Sequence, residues 1–323
     1  MFDSTFLNML SIVFGEGAKY IPFVLAAAVL FRLAHFPDIG IEGTFALGAC
    51  SIAFASRLGL PVWIGFSTSI ICGILGGILT GTLFIKFKLN SLICGIITAF
   101  IAYSMCFCLL GFESVADCPI ILSENWVFIF GLLFGVGICL FFSTRFGLSY
   151  RLAGESPDFL RQLGLSPNNR LLFLLALGNC MAGIAGALVT GVKGGVNIRI
   201  GNFMLFQAII SLVVGEGVLS VFIALYKHLR RTPSTILPSC FKRLRLVMRV
   251  AFSGTGAVYP LSAAILGSFS YWLIFNLCTM YLPANEWTRL VLGLTTAALL
   301  IIGVQVSKKY HRFSSWKFHG YIK

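Results

Sequence analysis

The stretch Val62-Trp-Ile-Gly-Phe-Ser-Thr-Ser-Ile-Ile-Cys-Gly-Ile-Leu-Gly-Gly-Ile-Leu-Thr-Gly-Thr-Leu-Phe-Ile85 carries no charged side chain. As a helix it is long enough to cross a hydrocarbon layer of roughly 30 Å. An outer-membrane strand would instead alternate apolar and polar residues over about ten positions. Because lipid offers no partner to a backbone N–H or C=O, a continuous run of this kind satisfies itself as an α-helix. Comparable runs extend over Lys19 to Ala34, Gly43 to Ser56, Leu89 to Gly111, Trp126 to Phe142, Arg170 to Val192, Phe203 to Leu225, Val250 to Tyr281 and Trp287 to Val306. The expected fold is all-α: one polytopic transmembrane bundle of about 8–10 helices, formed by residues 1–323 as a single domain. The stretch Phe2 to Gly17 is too short to span by itself and reads as interfacial, re-entrant or part of a longer first helix.

Composition points the same way. Of 323 residues, 58% are hydrophobic and 11% are charged, and the mean hydropathy is +0.94. A soluble domain carries roughly 25% charged residues, so a soluble globular fold is excluded. The formal charge of +13 comes from Lys and Arg placed mostly between the apolar runs, which is the signature of cytoplasmic loops and of contact with lipid head groups. No nucleic-acid motif accompanies it. The connection from Gly111 to Asn125 holds Glu113, Asp117 and Glu124 without Lys or Arg and is placed outside. The loop with Arg145, Arg151, Arg161 and Arg170, the basic loop 226–249 and the basic tail 307–323 are placed in the cytoplasm, so the C-terminus is expected to be cytoplasmic; the expected location is the cell's inner (plasma) membrane. Counting back, Lys86 and Lys88 face in and Arg57 faces out, while His35 to Glu42 faces in or lies part-way across. Lys193 and Arg199 then fall outside, against the rule but outnumbered.

Most of the 10 cysteines (Cys50, Cys72, Cys94, Cys106, Cys108, Cys139, Cys180, Cys278) lie within apolar runs and read as small packing residues. Cys118 and Cys240 fall on opposite sides and are not expected to pair. The N-terminus lacks a basic n-region and a small-residue cleavage site, so it is expected to be retained. Small residues form stripes suited to close helix contact: Gly73, Gly77 and Gly81 in one run, and Gly178, Ala182 and Gly186 in another, with Gly183, Ala187 and Gly191 beside them. They are read as packing within one subunit. The segments Asp38 to Ala49 and Asn197 to Ala208 align with small gaps on opposite sides, the arrangement of an inverted-topology repeat.

The chain holds no P-loop, H-E-x-x-H, C-x-x-C or G-x-S-x-G motif. His35, His228, His311 and His319 are dispersed in or beside loops. No cofactor is expected. The loop Thr144 to Asn169 is more informative. Ser156 is placed to cap, Pro157 suits a first helical position, Asp158 complements the helix dipole and Gly164 ends the turn. These residues predict a helix over Pro157 to Leu163, too short to span, whose Phe159, Leu160 and Leu163 require a surface outside the membrane.

The run Arg151-Leu-Ala-Gly-Glu-Ser-Pro-Asp-Phe-Leu-Arg-Gln-Leu-Gly-Leu-Ser166 resembles the coupling-helix segment of permease subunits of ABC importers of the branched-chain amino acid, ribose and nucleoside superfamily. Phe36 to Ala49 looks like that family's signature after an early membrane helix, in the form carried by tryptophan/tyrosine permeases, and Lys88 to Thr98 is similar to the next characteristic turn. The resemblance runs from about Leu30 to Gly217 and more faintly through Ala251 to Val306. The basic stretch Tyr226 to Arg249 departs from it, being longer than the usual connection. The resemblance implies that Gly154, Glu155, Pro157, Asp158, Phe159, Leu163 and Gly164 enter a cleft of a separate cytoplasmic ATPase subunit. It also implies a permease homodimer or a pair with a related permease, an extracytoplasmic substrate-binding protein, and as cargo a small polar solute, with an amino acid, in particular an aromatic one, ahead of a nucleoside or sugar.

Polar groups in or beside the spans are candidates for the translocation pathway or for internal structure: Asp38, Glu42, Asn90, Asn179, Gln207 and Glu216. A mid-membrane carboxylate costs about 2.5 to 3.5 kcal/mol on insertion scales and must face the bundle or water. Two other readings stand beside the importer. One is a secondary transporter that uses Asp38, Glu42 or Glu216 for ion coupling. The other is a membrane enzyme or assembly factor, which lacks a nucleophile, base or metal constellation in its favour.

Overall fold

The structure is a computed structural model that describes residues 2–231 and 258–281. In chain order the helices are α1 (Phe2–Ala28, continued as a π-helical turn over Val29–Leu33), α2 (Gly40–Arg57), α3 (Val62–Phe87), α4 (Ser91–Leu109), α5 (Glu124–Ser143), α6 (Arg145–Glu155), α7 (Pro157–Gln162), α8 (Pro167–Lys193), α9 (Met204–Arg231) and α10 (Val258–Tyr281). Among the described residues, 7 helices are long and apolar enough to cross a membrane. The chain is an all-α polytopic bundle.

The stretch Phe2 to Gly17 is part of the longer first helix: α1 runs unbroken through it. It also continues through Pro22, whose ring pushes aside the carbonyl four residues back. Gly131 of α5 packs against that carbonyl, where a Cβ would stand 2.6 Å from the oxygen of Ala18. α1 and α2 form the interior together with α8. Every residue of α2 from Gly40 to Ala53 is buried except Glu42, which is half-buried. At 18 residues, about 27 Å long at 1.5 Å per residue, α2 is a central strut enclosed by its neighbours, and it is not among the 7 crossing helices. The outer helices α3, α4, α5 and α10 instead turn Leu75, Phe100, Leu133 and Leu273 outward.

The glycine stripes are consumed inside the subunit, as expected from the sequence. Gly73, Gly77 and Gly81 of α3 lie against Asn179–Cys180, Leu175–Ala176 and Leu172 of α8. Gly186 and Gly183 of α8 meet Phe45 of α2 and Ser69 of α3, and Gly178 meets Leu30. A third close crossing, between α9 and α10, uses Gly215 and Gly267, where either Cβ would collide with the facing backbone. In lipid these approaches are what hold helices together, since apolar burial gives no preference between a helix and the acyl chains.

Two short strands, β1 (Val115–Asp117) and β2 (Gly195–Asn197), were not anticipated. They pair antiparallel, Ala116 opposite Val196, and the strap is extended by Ile198 N–H to Ser114 O at 3.0 Å and Ile121 N–H to Gly191 O at 2.9 Å. The strap puts the connections 111–125 and 193–199 on one face. Arg57 is ion-paired there to Glu113 and donates to Leu110 O at 2.6 Å. Arg57 and the two connections thus share one face. After β2 the chain turns back over Ile198–Gly201, and the two aligned segments meet: Glu42 Oε1 accepts from Leu205 N–H at 3.0 Å.

α9 reaches Arg231, so Tyr226 to Arg231, read as the start of the basic loop, is helix. After Gly217 the sequence holds no Gly or Pro before Pro233, so nothing in it ends the helix earlier. The remainder of that loop with Cys240, residues 250–257 of the span read as Val250 to Tyr281, the span Trp287 to Val306 and the tail 307–323 lie outside the described residues. One prediction concerns the α3–α8 crossing. Gly77→Ala is expected to lower thermal stability in detergent by about 1–3 kcal/mol through overpacking, whereas Gly137→Ala in α5, whose Cβ meets nothing within 4 Å, leaves it equal or higher. Fluorescence-detected size-exclusion melting of the two variants is the check.

Candidate functional site

Two groups of the candidate residues separate in space. The first is the segment α6–α7. α6 was not foreseen as a helix, although Thr144 starts it by accepting from Gly147 N–H at 3.2 Å. It is clamped from three sides. Gly147 presses on the Phe141–Phe142 backbone at the end of α5. Tyr150 stacks on Phe173 of α8 with ring centroids 4.4 Å apart and lies 5.8 Å from the Arg170 guanidinium. Gly154 lies so close to Leu33 and Ala34 that any Cβ would strike the Leu33 carbonyl. A glycine at position 154 is therefore required by backbone contact with the end of α1.

Ser156 joins the two helices and does so without a side-chain cap, contrary to expectation. Its backbone serves both: its N–H donates to Leu152 O at 2.8 Å and its C=O accepts from Leu160 N–H at 3.3 Å. Its φ of −150° and ψ of 72° reflect this double duty. Pro157 opens α7, Asp158 and Arg161 pair at 3.0 Å in solvent, and Gly164, at φ +73°, turns the chain away toward α8. The helix closes at Gln162, with Leu163 as its C-cap. Leu160 is fully buried and anchors α7, while Phe159 and Leu163 are 48% and 54% exposed. Glu155 is exposed. A short helix held rigidly on its inner side thus offers two large apolar side chains and a glycine turn on its outer side.

The second group is interior apart from Asn90. Asp38, fully buried between the π-turn and α2, accepts from Gly40 N–H at 2.7 Å and from Asn179 Nδ2 at 2.8 Å. Asn179 in turn accepts from Thr44 Oγ1 at 3.0 Å and donates to Leu175 O at 3.0 Å. This network lies near the middle of α8, so the connection His35 to Glu42 penetrates part-way across the bundle. Glu42 closes the start of α9, as described, and Tyr103 Oη donates to Asn202 Oδ1 at 3.0 Å close by. Asn90 is exposed and caps α4 by accepting from Leu92 N–H at 3.2 Å. Gln207 is half-buried. Glu216 is buried and bound to Arg32 at 2.6 Å. Among the described residues no group of His, Cys, Asp and Glu converges as a metal site.

Residues passed over in the sequence include Arg32, Thr44, Tyr103 and the pair of buried Lys19 with half-buried Glu16, 2.8 Å apart. The signal for Lys19 and Arg32 was present: each is a cation inside an apolar run.

Residues 9–300 match the family described as the branched-chain amino acid transport system permease component. The chain belongs to this family. Its members are transport permeases, and the family is not an enzyme family; the protein is accordingly a multi-pass permease component of an ABC-type transport system. It is 25% identical over 202 residues to the tyrosine transport system permease protein of Clostridioides difficile, covering 59% of this chain and 67% of that protein. It is 24% identical over 221 residues to an uncharacterized protein of Rickettsia prowazekii, covering 66% and 78%. The autoinducer 2 import system permease protein LsrD of Salmonella typhimurium is 24% identical over 194 residues, covering 55% and 58%. No solved structure matches.

The network around Asp38 generates a prediction. Asn179→Leu strips the carboxylate and Thr44 of a shared partner, and an unsatisfied buried polar group costs about 1–3 kcal/mol, more when charged. The variant is expected to give a lower melting temperature and less monodisperse protein than Asn179→Gln. Equal melting of the two would show that the network does not hold the α1–α2 break.

Proposed function

We propose that this permease is the membrane subunit of an ATP-driven importer in the inner membrane, working as a homodimer or beside a related permease. It receives a small polar solute from an extracytoplasmic binding protein, and is driven by two copies of a cytoplasmic ATPase that docks on α6–α7. The observation that carries this is the outward presentation of Phe159 and Leu163 on a segment bolted to α1, α5 and α8. Such a segment transmits a push as a rigid body, which is all a permease without its own chemistry needs. The ATPase-side residues are Gly154, Glu155, Pro157, Asp158, Phe159, Leu163 and Gly164, with Gly154 serving the inner contact and the others the outer face.

For the cargo, an amino acid is the leading class and an aromatic one the first to screen, supported by the tyrosine-permease relative. Among the six polar candidates, Glu42, bonded to the start of α9, and Gln207, one turn into α9, are half-buried and are assigned to the pathway. Asp38, Asn179 and Glu216, all buried with side-chain partners, and Asn90, which caps α4, are assigned to the frame. The basic tail 307–323 favours a cytoplasmic C-terminus.

A pull-down of the detergent-solubilised permease tests the docking assignment. Phe159→Asp puts a charge into the apolar contact, and Gly164→Pro forbids a positive φ. Together they are expected to cut ATPase recovery by roughly tenfold or more, the loss typical of a binding hot spot, while the melting profile stays close to wild type. Undiminished recovery with the double variant contradicts the assignment. Failure of the wild type to recover any ATPase contradicts the importer reading itself.

A further inference from the structure

The ion pair between Arg32 and Glu216 stands where the docking segment meets the bundle. Arg32 lies in the π-helical turn that ends α1, and the next residue, Leu33, offers the carbonyl on which Gly154 of α6 rests. Arg32 Nη2 reaches 2.6 Å to Glu216 Oε2 on α9, with the side chains only 17% and 3% exposed. Glu216 is flanked by Gly215 and Gly217, and Gly215 is the point where α9 touches Gly267 of α10. Tyr259 of α10 donates its hydroxyl to the Glu216 carbonyl at 3.0 Å. Four elements, α6, α1, α9 and α10, therefore meet at this pair or at the residues next to it in sequence, Leu33 and Gly215.

Stability alone does not account for the pair. Two charges removed from water recover little net free energy over a well-packed apolar pair of the same volume, although breaking one partner is costly. Its geometry does something an apolar pair would not: it is a short, directional link between the end of α1 and α9, made or broken as a unit, of the kind through which packed helices pass on a movement. π-turns within α-helices also concentrate at functional positions, and this one carries Arg32. Gly215 beside Glu216 packs directly on the α10 backbone, so a displacement of α9 at this point reaches α10.

We infer that Arg32 and Glu216 are positioning residues that carry movement of the docking segment to α9 and α10, so that ATP hydrolysis and solute passage stay in step. This rests on the proposed importer reading, and the two fail separately. If that reading is wrong, no ATPase accompanies the wild-type protein. If only the inference is wrong, ATPase assembles and coupling ignores the pair.

The test uses the permease reconstituted in vesicles with its ATPase and binding protein, reading tyrosine moved per ATP hydrolysed; a merely structural role would lower yield and both rates together without moving that ratio. Glu216→Gln is expected to keep the ATPase bound and hydrolysing while the ratio drops by about tenfold, and Arg32→Glu combined with Glu216→Arg is expected to restore a substantial part of it. A wild-type ratio in Glu216→Gln overturns the inference. Should that variant not fold, Arg32→Lys and Arg32→Gln replace it. Near-normal coupling in the first with loss in the second supports the link, and equal coupling in both overturns it.

Discussion

A break in a helix at bilayer depth must find its hydrogen bonds in protein, because lipid supplies none. Here the break between α1 and α2 is closed by one carboxylate. Asp38 takes the Gly40 N–H at the start of α2 and the Asn179 amide from the middle of α8, and Asn179 then engages Thr44. The central strut α2 starts from this anchor. The packing of α3, α4 and α8 around it depends on where it starts, since Gly95 and Gly40 approach the Asp38 carboxylate within ordinary contact only because they lack a Cβ. Displacing Asp38 would move α2, and with it the glycine contacts to Gly183 and Phe45 that align α8.

From this anchor the structure divides into an inner frame and two faces. On one face the β1–β2 strap ties the 111–125 connection to the end of α8. On the other, α6–α7 sits astride the ends of α1 and α5 and the start of α8. The frame is assembled from close backbone approaches, and bulky apolar side chains are turned outward from α3, α4, α5 and α10. That distribution is the reverse of a soluble protein's and follows from the solvent: lipid rewards neither burying nor exposing an apolar group, so contact falls to shape and to hydrogen bonds. Between the two faces, α9 and α10 are linked to the docking side by Arg32 and Glu216.

Much of this was legible in the residues. The apolar runs located α3, α4, α5 and α8 to within a few positions, and Pro157 and Gly164 delimited α7, because turn and cap chemistry is local. The glycine stripes announced the α3–α8 crossing by spacing alone. What escaped was non-local. Ser156 was read as a side-chain cap by composition, but its backbone is shared by two helices. α6 has too few apolar residues for a hydropathy signal and owes its place to Gly147, Tyr150 and Gly154 meeting other elements. The strands β1 and β2 are too short to show a period and exist because two distant connections meet. The partners of Asp38 and Glu216 lie 141 and 184 residues away, a pairing no local pattern encodes.

The account's central claim is that this permease works under the power of ATP and not of an ion gradient. Uptake of labelled tyrosine into vesicles carrying the complete assembly measures this directly. The account predicts uptake that requires hydrolysable ATP on the ATPase side and persists when proton and sodium gradients are collapsed by ionophores. Uptake by the permease alone, indifferent to ATP and abolished by the ionophores, would contradict it.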